Sequence, residues 1–134
     1  MSEFLADGAE LFAGVCVRDY AQARPWYDAL LGAPPSFLAH ETEAVWELAP
    51  HRWLVVEQRP ERAGFATQTL FVDDLDARVA AAAGRGILPA TEETYGDGVR
   101  KVVYRDPEGN EIGFGGNTLR DPGSDPVSDP AAGG

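Results

Sequence analysis

The sequence predicts an α+β fold built from two tandem βαβββ modules. A capping Asp followed by a helical stripe occurs twice, at Asp19 and Asp74, 74 − 19 = 55 residues apart, and Val17 and Val72 share that offset. After each stripe come three short strand-like runs separated by turn residues. Repetition at a fixed offset is the mark of duplication. One such unit cannot cover its own sheet, so the two are expected to pack together. The 134 residues suit one compact domain.

The first module starts with a strand at 11–17. Asp19, with Gln22 three residues on, forms a capping-box pattern. Tyr20, Ala23, Tyr27 and Leu30/Leu31 recur at helical spacing, and Gly32 closes the helix. Pro25 is expected either to kink that helix or to mark where its regular part begins. Strands follow at 36–40, 44–48 and 53–58, the last two joined by a four-residue turn, Ala49-Pro50-His51-Arg52. In the second module 67–72 is a strand and Asp74 the cap. Leu75, Val79 and Ala82 form the stripe, which ends at Gly84 or Gly86. Strands are expected at 87–91, 99–105 and 111–114, with Asp106-Pro107-Glu108-Gly109 turning between the last two. Residues 1–9 read as a lead, 10–60 and 61–116 as the modules, and 117–134 as a flexible acidic Asp-Pro tail too poor in apolar residues to order itself.

Composition narrows the function. Asp and Glu number 22 against 11 Lys and Arg, a net charge of −11. The tail holds −2 of this (Asp121, Asp125 and Asp129 against Arg120), which leaves −9 on residues 1–116. Phosphate neutralisation needs clustered basic residues, and the one adjacent basic pair is Arg100-Lys101, so no nucleic-acid partner is expected. The acidity suits a cationic ligand or simply keeps the protein in solution. There is neither an apolar run of membrane-spanning length nor a signal-peptide pattern, so no membrane partner and a cytoplasmic location are expected. A single cysteine, Cys16, excludes an internal disulfide framework and a Cys-based zinc knuckle. Gly96-Asp97-Gly98 and Gly113-Phe114-Gly115-Gly116 lack the lysine and the strand–helix setting of a phosphate loop.

Four segments carry a family resemblance: Val17-Arg18-Asp19; Trp26-Tyr27 with Leu30-Leu31-Gly32; Val72-Asp73-Asp74-Leu75-Asp76-Ala77; and Asp106-Pro107-Glu108-Gly109-Asn110. In order and spacing they resemble the signatures of the vicinal oxygen chelate superfamily, the glyoxalase, bleomycin-resistance and extradiol-dioxygenase proteins, over residues 10–116. The resemblance implies curled mixed sheets around a cleft, and often a homodimer. It also implies metal-ligand positions at Phe12, Glu57, Thr67 and Gly113. A divalent ion wants three or four His or carboxylate donors, and only Glu57 qualifies, so no metal and no cofactor are expected. Glu111 reaches the place of Gly113 only after a register slip that inverts the faces. His40 and His51 read as surface residues.

Strand alternation then assigns the cleft lining. Phe12, Gly14 and Cys16 face it from the first strand, and Thr67, Thr69 and Phe71 from the fifth. Trp53, Val55 and Glu57 line the fourth; pairing across the 49–52 turn adds Trp46, and pairing across the 106–109 turn adds Arg100 and Tyr104. The candidate ligand-binding residues are therefore Phe12, Trp46, Trp53, Glu57, Thr67, Phe71, Arg100 and Tyr104, with Glu57 the candidate catalytic residue. Such a lining suits a flat aromatic or cationic small molecule. Trp46 and Trp53 read equally as core or interface aromatics, Glu57 as a partner of Arg100, and Cys16 as an inert small apolar residue. The expected function is binding or sequestering a small organic ligand without metal. The alternative is a lyase, isomerase or dioxygenase of the glyoxalase type working through a non-standard site around Glu57.

Overall fold

Residues 8–117 are described by the structure, a computed structural model. Alternating residues of β1 (Leu11–Val17) bury Val15 and Val17 and leave Phe12 on the other face. The chain then enters α1 (Tyr20–Leu31), where the Asp19 carboxylate accepts from the Gln22 amide at 3.1 Å. Tyr20, Ala23, Tyr27 and Leu30 form its buried stripe, the i, i+3, i+4 spacing of a core-facing helix. Pro25 lies inside this helix, and the missing N–H deprives the ladder of one hydrogen bond. Gly32 ends it at φ 77°, its amide donating to the Asp28 carbonyl at 2.8 Å.

The three strands that follow are β2 (Phe37–His40), β3 (Glu43–Ala49) and β4 (Arg52–Gln58). They form a mixed sheet of order β1-β4-β3-β2, with β1 parallel to β4. A 3₁₀ turn at Pro60–Arg62 leads to the second module. There β5 (Thr67–Phe71), α2 (Leu75–Gly84), β6 (Thr91–Thr94), β7 (Val99–Arg105) and β8 (Glu111–Asn117) repeat the topology as β5-β8-β7-β6. The fold is thus the predicted pair of βαβββ units, and neither sheet closes on itself.

Several details differ from the sequence reading. Asp74 stands at the start of α2, but its carboxylate pairs with Arg78 at 2.6 Å and caps no amide. β6 begins at Thr91 because the Ile87 amide still serves the end of α2 and Pro89 has no N–H to pair. β8 runs on to Asn117, the residue expected to open the tail. Of the expected lead (1–9) and tail (117–134), residues 1–7 and 118–134 lie outside the described residues. No helix among the described residues is long and apolar enough to cross a membrane.

The two modules share one apolar core, to which Val15, Tyr27, Trp46, Leu54, Tyr104 and Phe114 all belong. Polar ties reinforce it. The buried Asn110 side chain accepts from the Ala66 amide at 2.9 Å and donates to the Cys16 carbonyl at 3.0 Å. Glu108 accepts from the Arg18 and Asp19 amides, so a carboxylate of the second module meets the positive end of the first module's helix. Gln68 donates to the Gly14 carbonyl at 3.0 Å.

Candidate functional site

Each sheet has a core face and an open face, and register decides which residues share them. In the first sheet Phe12, Trp53 and Val55 lie on the open face while Val15, Val17, Leu54 and Val56 are core. Phe12 and Trp53 are direct partners on the β1–β4 ladder. Their rings stack with centroids 5.6 Å apart and planes 9° off parallel, and Phe37 adds an edge at 6.0 Å. Phe12 is 53% exposed, so this surface is open to a ligand or partner. The Trp53 indole donates to Glu10 at 2.6 Å, and Glu10 also pairs with His51 at 2.6 Å. Those two contacts, that with His51 foremost, hold the Glu10 carboxyl below its ordinary range.

Glu57 lies on the same face, between Cys16 and Glu43 on the two neighbouring strands. Its ion-pair partner is Arg59 at 3.4 Å. The pairing with Arg100 considered from sequence does not form. Burial, followed by the Glu57 charge, pushes the Cys16 thiol up. It therefore stays protonated and unreactive near neutral pH.

Three expected cleft residues lie elsewhere. Trp46 is 3% exposed in the core, with its ring 6.1 Å from that of Tyr27 and its indole donating to the Ala33 carbonyl. The cause is a two-residue turn, Pro50-His51, with His51 at φ 70° and Ala49 opposite Arg52, followed by an irregularity that leaves Leu48 unpaired. Trp46 therefore faces Leu54 rather than Val55. Tyr104, 1% exposed, packs edge-on against Phe114, and burial pushes its phenol up, so it is no acid near neutral pH. Arg100 is on that same core side of the sheet, paired with Asp76 and Glu92. Both moved because the β7–β8 connection holds five residues, Arg105 facing Glu111, so every β7 side chain is inverted relative to a four-residue turn.

The open face of the second sheet instead carries Thr67, Thr69 and Phe71 from β5, Gly113 and Gly115 from β8, and Lys101, Val103 and Arg105 from β7. Sequence reading missed Lys101 because parity counted from the wrong turn selected its neighbour Arg100. It missed Glu10 and Phe37 because nothing local ties either to Trp53.

The four metal-ligand positions of the resemblance thus present a phenyl ring, one carboxylate, a hydroxyl and a bare glycine. That donor set does not fit a divalent ion. Among the described residues no three His, Cys, Asp or Glu side chains are grouped to hold one. Where the modules meet, Trp53, Gln68, Thr69 and Gly113 help line a narrow cavity of about 80 Å³. An open groove of about 720 Å³ continues from it past Leu11, Arg52 and Phe71.

A family model of the Glyoxalase/Bleomycin resistance protein/Dioxygenase superfamily matches residues 11–114. Among solved structures, the chain is 55% identical to a glyoxalase/bleomycin resistance protein from Catenulispora acidiphila DSM 44928. That match covers 81% of this chain and 98% of that one, with a TM-score of 0.79. It also resembles lactoylglutathione lyase from Agrobacterium tumefaciens, at 17% identity, 83% and 95% coverage and a TM-score of 0.62. For TioX from Micromonospora sp. ML1 the values are 16%, 82% and 99%, and 0.65. At such identities the last two show the fold alone. No curated protein sequence matches the chain.

Proposed function

The chain belongs to the glyoxalase/bleomycin resistance protein/dioxygenase superfamily, and on that premise we propose that it is a metal-free, cytoplasmic member that binds a small aromatic or cationic organic molecule. The stacked Phe12–Trp53 pair, half exposed on the open face of the first sheet, is the observation that carries this reading. Aromatic faces attract flat rings and desolvated cations. Glu57 and Glu43, opposite one another on that face, add negative charge for a cationic group. The donor set at the four ligand positions supports the absence of metal.

We further propose that the working form is a homodimer. Leu11, Leu38, Phe65 and Leu88 are large apolar side chains left more than half exposed outside the aromatic pair, and a second copy gives them cover. Sedimentation equilibrium tests this, and a monomer at micromolar concentration overturns it.

The ligand reading is tested by calorimetric titration of wild type, Trp53→Ala and Glu57→Gln with phenyltrimethylammonium and with its neutral analogue tert-butylbenzene. Both probes are expected to weaken on Trp53→Ala, and only the cation on Glu57→Gln. Flat titrations throughout, or one stoichiometric tightly held metal ion in protein purified without chelator, overturn it. Turnover of a carbon acid that is lost in Glu57→Gln replaces it with the enzymatic alternative, Glu57 acting as a general base.

A further inference from the structure

The ladders of the second sheet arrange its open face in rows. Glu93, Lys101, Gly115 and Phe71 form one row across β6, β7, β8 and β5; Thr91, Val103, Gly113 and Thr69 form the next. Two glycines therefore leave the middle of this face as bare backbone, and the flanking side chains fold over it. A Cβ placed at Gly115 would meet the Phe71 ring at 2.8 Å. A Cβ at Gly113 would meet Thr69 Oγ1 at 3.1 Å and Lys101 Cε at 3.2 Å. Lys101 thus leaves its own row and lies toward Gly113, against which the Thr69 hydroxyl also rests.

Lys101 is the chain's one lysine. Among the described residues its ammonium has neither an ion pair nor a side-chain hydrogen bond. Glu93, its neighbour across β6, instead accepts from the Tyr95 hydroxyl at 2.7 Å. Arg105, the next cation on the face, is paired with Glu111 at 3.0 Å. A lysine whose stem lies against Gly113, beside the Thr69 hydroxyl and an exposed aromatic ring, is a recognition surface of opposite sign to the Glu57 face.

We propose that Lys101 and Thr69 form an anion site that takes the carboxylate of a small organic acid, with the Phe71 ring covering the acid's apolar body. An ammonium and a hydroxyl match a singly charged group by charge-assisted hydrogen bonding. A phosphate dianion calls for further donors, and the glycine amides here are committed to the strand ladders. The site lies on the second sheet and its test turns on Lys101, which has no part in the aromatic-pair reading, so either reading can fail alone.

The single lysine makes the test direct. The full chain labelled with ¹³Cε-lysine gives one ε-methylene resonance, to be titrated with benzoate, benzyl alcohol, inorganic phosphate and chloride. Benzoate is expected to shift it saturably and the other three to leave it unmoved. Benzoate affinity, read by calorimetry, should fall about tenfold or more in Lys101→Met, as loss of one charge-assisted contact does. It should fall less in Thr69→Val and be unchanged in Arg62→Met, which removes an exposed cation outside both sites. An unmoved resonance, an equal shift with chloride or phosphate, or unaltered benzoate affinity in Lys101→Met each overturns the proposal.

Discussion

The Tyr27 phenol donates to the Asp106 carboxylate across 2.8 Å, from the first module's helix to the β7–β8 loop of the second. Both residues are buried. Asp106 also accepts from the Glu108 and Asn110 amides and from the Asn110 side chain, so its charge is met on every side. Tyr27→Phe should cost about 1–3 kcal/mol, one hydrogen bond to a buried charged acceptor. Asn110→Ala should cost more, because it leaves the Ala66 amide and the Cys16 carbonyl unpaired as well. Urea denaturation measures both, and an Asn110→Ala cost below that of Tyr27→Phe contradicts the bridging role.

The same contact dictates the alkaline response. Burial first, then the Asp106 charge, raises the Tyr27 phenol far above its ordinary value of 10.0. A group whose folded pKa is raised stabilises fully below its unfolded pKa and loses that stability as pH rises. Stability should therefore be flat in this contribution up to about pH 10 and decline above it. In a spectrophotometric titration, Tyr27 should form phenolate only as the fold gives way. Tyr27→Phe should shrink that late, unfolding-linked step by one tyrosine, leaving the share of the buried Tyr104.

The two tryptophans on neighbouring strands should behave differently. Trp46→Ala opens a hole against Tyr27 in the core and should cost about 3–5 kcal/mol. Trp53→Ala removes a partly exposed ring and its link to Glu10, and should cost clearly less. Thermal denaturation of the two variants checks the order, and equal losses would place Trp53 in the core as well.

Glycines on the two sheets divide the same way. A Cβ at Gly116 would sit 3.0 Å from both Leu75 Cβ and the Val72 carbonyl, so Gly116→Ala should destabilise by about 1–3 kcal/mol. A Cβ at Gly14 meets nothing within 4 Å, and Gly14→Ala should be tolerated. Denaturant midpoints compare them.

Element order was readable because it rests on local chemistry. Asp19 and Gly32 bracket α1 through bonds to nearby amides and carbonyls, and the 55-residue repeat needs no knowledge of contacts. The site was half readable. Phe12, Trp53, Glu57, Thr67 and Phe71 lie where alternation put them, on strands whose faces follow from their own apolar pattern. Trp46, Arg100 and Tyr104 did not, because their faces were inferred across turns.

Local chemistry thus set the two modules, the order of their elements, and a set of four ligand positions that holds a single carboxylate, Glu57. Tertiary structure decided which side chains the second half of each module turns outward. Side chains alternate with a period of two, so one added residue inverts a whole strand. Leu48 slips out of register toward the core, and Asn110 is drawn into the loop to bridge Ala66 and Cys16. Those long-range contacts bury Trp46 and Tyr104 and bring Lys101 to the open face.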